Sequence, residues 1–153
     1  MTLIVEIDDV LRKVGGRQLS ELTPRVTDPY GQYLSSLAGL TMLAVANAYD
    51  GAAQRRLEEN DAICALFEKA IPHLPAKAMS IHLASALKQK SSTIKISDLN
   101  KFNVILRKGL IKLHTYLENN LDQTWAATLN KEVLEEYVLS ANRHRFDELD
   151  SFV

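Results

Sequence analysis

Residues 97–120, SDLNKFNVILRKGLIKLHTYLENN, decide the fold that this sequence predicts. Ser97 is a residue type that caps helices, and Asp98 adds favourable charge to the first turn. An apolar stripe follows at spacings of three and four residues: Leu99, Phe102, Leu106, Leu110, Leu113 and Leu117. Such spacing places these side chains on one face of a helix. We therefore predict a long amphipathic helix that ends at Asn119-Asn120 and turns its apolar face to a core.

The same periodicity extends to both sides of this stretch. It predicts helices over residues 3–14, 29–49, 52–71 and 76–90, and another after an Asp122 cap, with a break at Asn130. Gly15-Gly16 is expected to stop the first helix. Residues 17–27 are expected to form a loop with one helical turn, and residues 93–96 an extended connector.

The stretch from Pro29 to Tyr49 contains no charged residue. Asp28-Pro29 is a helix start, because the Asp carboxylate accepts from free amides and Pro tolerates the first helical position. Polar residues inside the stretch and an acid at each end (Asp28 and Asp50) argue against a membrane span. We interpret it as the largely apolar central helix of a bundle, buried on all sides, with rows of small residues that allow close helix packing.

Length and composition agree with this interpretation. The chain has 153 residues, of which 46% are hydrophobic and 24% charged, values typical of one globular domain. We predict an all-α, single-domain bundle of five or six helices over residues 1–153, with a mobile C-terminal tail over residues 143–153. The single cysteine, Cys64, excludes a disulfide framework within one chain. The N-terminal residues lack the basic start of a secretory signal, and we expect a cytoplasmic protein.

The net charge of −1 hides a strong asymmetry along the chain. Residues 76–117, which we call the basic centre, carry eight Lys and Arg and one acid, Asp98, whereas residues 1–75 and 118–153 are both acidic. Lysine and arginine bind phosphate groups without any base-reading motif. The candidate residues for anion or nucleic-acid binding are Lys88, Lys90, Lys95, Lys101, Arg107, Lys108 and Lys112. Of these, Lys101, Lys108 and Lys112 share one helical face.

This charge distribution indicates a non-catalytic accessory or assembly protein whose basic centre contacts an anionic partner, with nucleic acid in a nucleoprotein complex as the leading candidate. A solvated basic face that answers the acidic ends of the chain, or a protein partner, is the competing interpretation. No aromatic residue stands between the lysines from 77 to 95 to stack on bases.

A second hypothesis is a protein–protein adaptor that uses the acidic and apolar C-terminus. Phe146, Leu149 and Phe152 recur every three residues among Asp147, Glu148 and Asp150. An amphipathic segment of this kind can dock on a partner, or fold back on its own bundle.

The sequence lacks the components of most catalytic sites. The four histidines never approach each other at three or four residues, so no metal ligand set is evident, and no cofactor motif occurs. Glu132, Glu135 and Glu136 are interpreted as a solvated acidic face. The charged residues of the third helix are expected to face water: Arg55, Arg56, Glu58, Glu59 and Asp61. Cys64 lies among apolar neighbours and is expected to be buried and unreactive.

Arg107 and His114 lie two helical turns apart on one face, with Ile111 between them. This pairing is similar to the arrangement by which helical RNases of the HEPN type build their site across a symmetric dimer. The resemblance implies RNA cleavage by Arg107 and His114, and it is limited to those two residues, since Lys108 stands where such enzymes carry another polar residue.

Overall fold

The computed structural model describes residues 6–49, 51–75, 78–90 and 92–143. These residues form six α-helices and no strand, which confirms the predicted all-α class and helix number. The helices are α1 (Ile7–Arg17), α2 (Pro29–Tyr49), α3 (Ala52–Ala70), α4 (Ala78–Leu87), α5 (Ile96–Glu118) and α6 (Thr124–Arg143). The chain divides between Ala52 and Ala53 into two compact units, a subdivision that the sequence analysis did not predict.

In the first unit, α2 packs against α1 and the turns that follow it. The Asp28 cap is confirmed, because its Oδ2 accepts a hydrogen bond from the Gly31 amide at 2.7 Å. The prediction that α2 is buried on all sides is wrong, since only Gly39 and Ala46 are buried along it. In this unit the helix packs chiefly on one neighbouring helix, which covers one of its faces.

Gly15-Gly16 does not stop the first helix, contrary to prediction. Helix α1 runs through both glycines, and helical turns continue to Arg25. A Cβ atom on Gly15 would lie 2.9 Å from the carbonyl oxygen of Gly39. A Cβ atom on Gly39 would lie 2.7 Å from Cγ of Leu19. Gly15 and Gly39 therefore allow α1 and α2 to approach each other closely, and neither glycine ends a helix.

The second unit contains α3 to α6 around one apolar core. The whole stripe predicted on α5 is buried, and Phe67 of α3, Leu83 of α4 and Val133 of α6 join it with no exposed surface. Gly109 faces this core, where a Cβ atom would lie 2.8 Å from Cζ of Phe67. Helix α5 therefore carries the central face of this unit, and its other faces present the candidate functional residues.

The connector and boundaries show smaller differences from prediction. Residues 93–95 form no helix or strand, and Lys95 is extended. Helix α5 begins at Ile96 with Lys95 as its N-cap, so Ser97 lies inside the helix rather than capping it. Asn130 does not interrupt α6, which runs continuously to Arg143.

Candidate functional site

Lys101, Lys108 and Lys112 lie on one exposed face of α5, as the spacing predicts, and we call them the lysine row. Positions seven and four residues apart are separated by about 10 and 6 Å along a helix axis. Lys101 has Asp98 as its ion-pair partner at 3.5 Å, and 79% of its side chain is exposed. Lys108 and Lys112 form no ion pair within the described residues. The row therefore presents cationic groups to solvent with little compensation.

The three lysines that precede α5 do not join this row. Lys88 and Lys90 lie just after α4, and Lys95 is the N-cap of α5. Lys90 donates to Oδ1 of Asp61 at 2.7 Å, and this hydrogen bond raises the pKa of Lys90. The predicted basic centre is thus split between the lysine row and separate positions.

Arg107, the remaining candidate cation, is engaged inside the second unit. Its Nε and Nη2 donate to Oε1 of Glu59 at 2.9 and 2.5 Å, and Nη2 also donates to Oγ of Ser140 at 2.9 Å. Glu59 is only 1% exposed, which corrects the expectation that it faces water. The contacts join α3, α5 and α6, because Ser140 Oγ also donates to the same Glu59 oxygen at 3.0 Å.

A second arginine approaches the other oxygen of that carboxylate. Arg56 Nη1 donates to Oε2 of Glu59 at 2.6 Å and to Oδ1 of Asn103 at 3.0 Å. Asn103 donates to Asn60, whose side chain donates to the Leu99 carbonyl. A buried carboxylate is costly unless it is paired and fully hydrogen-bonded, and this arrangement meets both conditions. We call Arg56, Glu59, Arg107 and Ser140 the Glu59 cluster.

Glu136 lies near this cluster and is also buried, at 6% exposure. The expectation of a solvated acidic face is therefore wrong for Glu136. Arg143 donates to both of its carboxylate oxygens, at 2.5 and 3.4 Å, and this interaction raises the pKa of Arg143. The pair stabilises the last turns of α6. Arg143 is also favourable there because its positive charge lies near the negative end of the helix dipole.

The Glu59 cluster opens into a cavity of about 670 Å³ within the second unit, which we call the Arg107 cavity. Its apolar wall is formed by Ile63, Val104, Leu110, Ile111 and Tyr137. Half of the Arg107 side chain is exposed (51%), whereas the Glu59 carboxylate beneath it is not. Burial, followed by the charge of Glu118, raises the pKa of Tyr137, so its phenol is held neutral. The cavity thus combines apolar walls with a guanidinium group.

His114, the second residue of the HEPN-type hypothesis, lies in a different environment from Arg107. Its ring makes an edge contact with Tyr137 at 5.4 Å, and its Nε2 atom is buried without a hydrogen bond. A carboxylate oxygen of Glu118 lies 3.6 Å from Nε2. Arg107 directs two of its nitrogens to Glu59 and Ser140. The geometry of the described residues therefore gives the two residues separate contacts.

Cys64 is buried, as predicted. Burial raises the pKa of its thiol from 9.0 to about 11, with Lys90 opposing the shift. A thiol of this kind is protonated at neutral pH and is a poor nucleophile. The described residues contain no group of three or more potential metal ligands, and none of their helices is long and apolar enough to cross a membrane. Phe146, Leu149 and Phe152 lie outside the described residues.

Sequence reasoning missed three members of the Glu59 cluster, Arg56, Glu59 and Ser140, and the neighbouring Asn60. A signal for Glu59 existed, because it precedes the buried Ile63 by four residues and therefore shares its helical face. Asn60 relates to Cys64 in the same way. Nothing local identifies Ser140, whose partner Glu59 is 81 residues away in sequence.

No family model, curated protein or solved structure matches this chain.

Proposed function

We propose that this protein is a non-catalytic accessory or assembly protein that binds the sugar–phosphate backbone of nucleic acid through the lysine row. The observation that carries the proposal is the alignment of Lys101, Lys108 and Lys112 on one exposed face of α5. Lysine binds phosphate as a point charge and needs no fixed geometry, so an exposed row is sufficient for backbone contact.

Most of the positive charge of the lysine row has no counter-charge among the described residues, which supports the proposal. Lys108 and Lys112 form no ion pair with a described residue, and the Lys101 side chain remains 79% exposed beside Asp98. By contrast, Arg107 and Lys90 each have a carboxylate partner within 3 Å. The row therefore supplies aligned positive charge of the basic centre that is able to release counterions from a phosphate chain.

The neighbouring surface favours binding without base sequence preference. Val104 and Ile111 beside the row have no hydrogen-bonding side-chain group. The polar groups next to Lys112, Thr115 Oγ1 and Asn119 Nδ2, already donate to backbone carbonyls. Base readout needs hydrogen-bonding side chains or stacking aromatics at the contact. We therefore expect similar affinity for different sequences of equal length and strandedness.

The test measures binding of labelled single- and double-stranded DNA and RNA to the full chain across a salt series. The variant Lys101→Gln/Lys108→Gln/Lys112→Gln should weaken binding at low salt. It should also reduce the slope of log K against log salt by about 2 to 3, because each phosphate contact contributes about 0.7 to 0.9.

The matched control is Lys13→Gln/Lys69→Gln/Lys131→Gln, which removes the same charge from exposed lysines outside the row. It should leave the slope nearly unchanged. An equal loss in both triple variants would reduce the effect to net charge, and the absence of binding by the wild type at low salt would reject the proposal.

A further inference from the structure

We propose that the Arg107 cavity binds an amphiphilic organic anion, a molecule with a carboxylate head and an apolar tail. The cavity lies wholly within the second unit, and its lining is not part of the lysine row. This inference is independent of nucleic-acid binding and concerns a different ligand at a different site.

The first argument is charge. Two guanidinium groups, Arg56 and Arg107, share the single carboxylate of Glu59, and the other lining acid, Glu136, is paired with Arg143. The Glu59 cluster itself therefore carries two positive charges and one negative charge, whereas Glu136 in the lining is balanced by Arg143. A surplus cation beside an apolar wall is stabilised by an anion more than by water alone, because the low dielectric strengthens the attraction.

The second argument is the set of hydrogen-bond donors that remain. The contacts of Arg107 use Nε and Nη2, which leaves the two N–H groups of Nη1 without an acceptor among the described residues. The contacts of Arg56 use Nε and Nη1, which leaves Nη2 likewise. Each arginine therefore retains a complete terminal amino group. Arginine N–H groups match the planar oxygens of a carboxylate, and such charge-assisted bonds are the strong ones.

Glu59 also fixes these donors in place. Its carboxylate is 1% exposed and holds Arg56 through one oxygen and Arg107 through the other. Both guanidinium groups therefore lose little further freedom when an anion arrives, which lowers the entropic cost of binding.

The third argument is the combination of size and wall chemistry. A cavity of about 670 Å³ falls in the range of small-ligand sites. Val104 and Ile111 form an exposed rim, at 52% and 61% exposure, and Tyr137 lines the cavity from α6. A hydrocarbon tail would cover these apolar groups, whereas a sugar–phosphate chain would leave them in contact with polar atoms. The site therefore favours an anion with an apolar body.

The experiment titrates sodium octanoate into the full chain and follows binding by calorimetry and by NMR, including the arginine Nε–H signals. We expect saturable binding at one site that shifts the Arg107 Nε–H and Val104 signals. Octan-1-ol should bind at least about tenfold more weakly, since one lost charge-assisted interaction is worth that factor or more. Octyltrimethylammonium should not compete.

Two valine substitutions provide a matched pair. Val104→Glu places a negative charge on the cavity rim and should weaken octanoate binding at least tenfold. Val138→Glu adds the same charge on a valine of α6 that is 62% exposed and lies outside the cavity lining, so it should leave binding unchanged. Both positions are exposed, so both variants are expected to fold.

Arg107→Gln should also abolish octanoate binding, and if it fails to fold, the valine pair still decides. Octanol binding as tight as octanoate, equal losses in the two valine variants, or no saturation up to about 10 mM would each overturn the proposal. The triple lysine-row variant should retain octanoate binding, which separates this result from that for nucleic acid.

Discussion

Arg107 and Lys108 are neighbours in sequence, yet they lie on different sides of α5 and differ in their partners. We call the side that carries Arg107 the inner side and the side that carries Lys108 the outer side. Arg107 reaches a carboxylate that is 1% exposed and forms hydrogen bonds to two other helices. Lys108 is exposed and has no ion pair within the described chain. On one side of the helix the positive charge has a carboxylate partner within the protein, whereas on the other side it has no described counter-charge.

The difference lies in what surrounds each charge rather than in the charge itself. A buried ion pair contributes mainly by preventing the large penalty of an unpaired charge, so removing one partner is expensive. A surface lysine pays almost no such penalty, and its value for stability is small. Stability measurements should therefore respond most strongly to the side of α5 that carries Arg107, and nucleic-acid-binding measurements to the side that carries Lys108.

The largest effect is expected for Glu59→Gln. The substitution removes the shared counter-charge of Arg56 and Arg107, which are 21% and 51% exposed, and weakens their hydrogen bonds, so we expect a loss of about 1.5 to 3 kcal/mol in the free energy of unfolding. Urea denaturation measures this loss. The control is Glu58→Gln at the adjacent exposed position, which should change stability by less than about 0.5 kcal/mol. Similar values for the two variants would contradict the structural role of the Glu59 cluster.

A smaller effect is expected for Gly109→Ala. The new Cβ would lie 2.8 Å from Cζ of Phe67, a fully buried ring, so the core must shift. Overpacking of this kind costs about 1 to 3 kcal/mol, and the higher helix propensity of alanine offsets about 1 kcal/mol of that. We expect a net loss of up to about 2 kcal/mol by urea denaturation.

Gly16→Ala serves as the control for Gly109→Ala. No atom lies within 4 Å of the added Cβ, so the variant should gain up to about 1 kcal/mol. A stabilising effect at both glycines would show that Gly109 does not limit the packing of α5.

The apolar stripe of α5 and the Glu59 cluster show where prediction from the sequence succeeds and where it fails. The stripe from Leu99 to Leu117 could be predicted in full, because burial on a helix follows a local period of 3.6 residues. The Glu59 cluster could not be predicted in this way, since Arg107 and its acceptor are 48 residues apart and meet only through helix packing. The sequence shows that Arg107 and Lys108 are both cations, but it does not show that Arg107 has a carboxylate partner.

The same limit explains why Gly15 was expected to end the first helix but lies within it. A glycine pair in a sequence usually predicts the end of a helix, because glycine is the weakest ordinary helix former. In the first unit the close contact with Gly39 overrides that preference. Local propensity therefore predicted the helices better than it predicted their boundaries or contacts.

The stability of the protein is expected to depend on pH through Cys64, which lies in the apolar core of the second unit. Burial raises the pKa of its thiol to about 11 in the folded state, from an ordinary value of 9.0. Folding therefore favours the protonated thiol, so this contribution to stability is complete below pH 9 and is lost as the pH rises through about 11.

The measurement for Cys64 is urea denaturation at several pH values from neutral to alkaline. The wild type should lose stability more steeply above pH 9 than Cys64→Ala, whose remaining slope reports other groups such as Lys90. Parallel curves for the two proteins would show that the thiol is not desolvated in the folded state.

The smallest effect on stability is expected on the outer side of α5, for Lys108→Gln. The lysine is exposed and has no described counter-charge, so its removal should change the free energy of unfolding by less than about 0.5 kcal/mol. Arg107→Gln, one residue earlier, removes hydrogen bonds to Glu59 and Ser140 and should cost more than 1 kcal/mol by the usual value of bonds to charged groups, about 1.5 to 3 kcal/mol. Urea denaturation of both variants in one buffer makes the comparison. Equal losses would mean that Lys108 has a structural role and would weaken its assignment to ligand binding, whereas the expected contrast leaves its charge available to a partner.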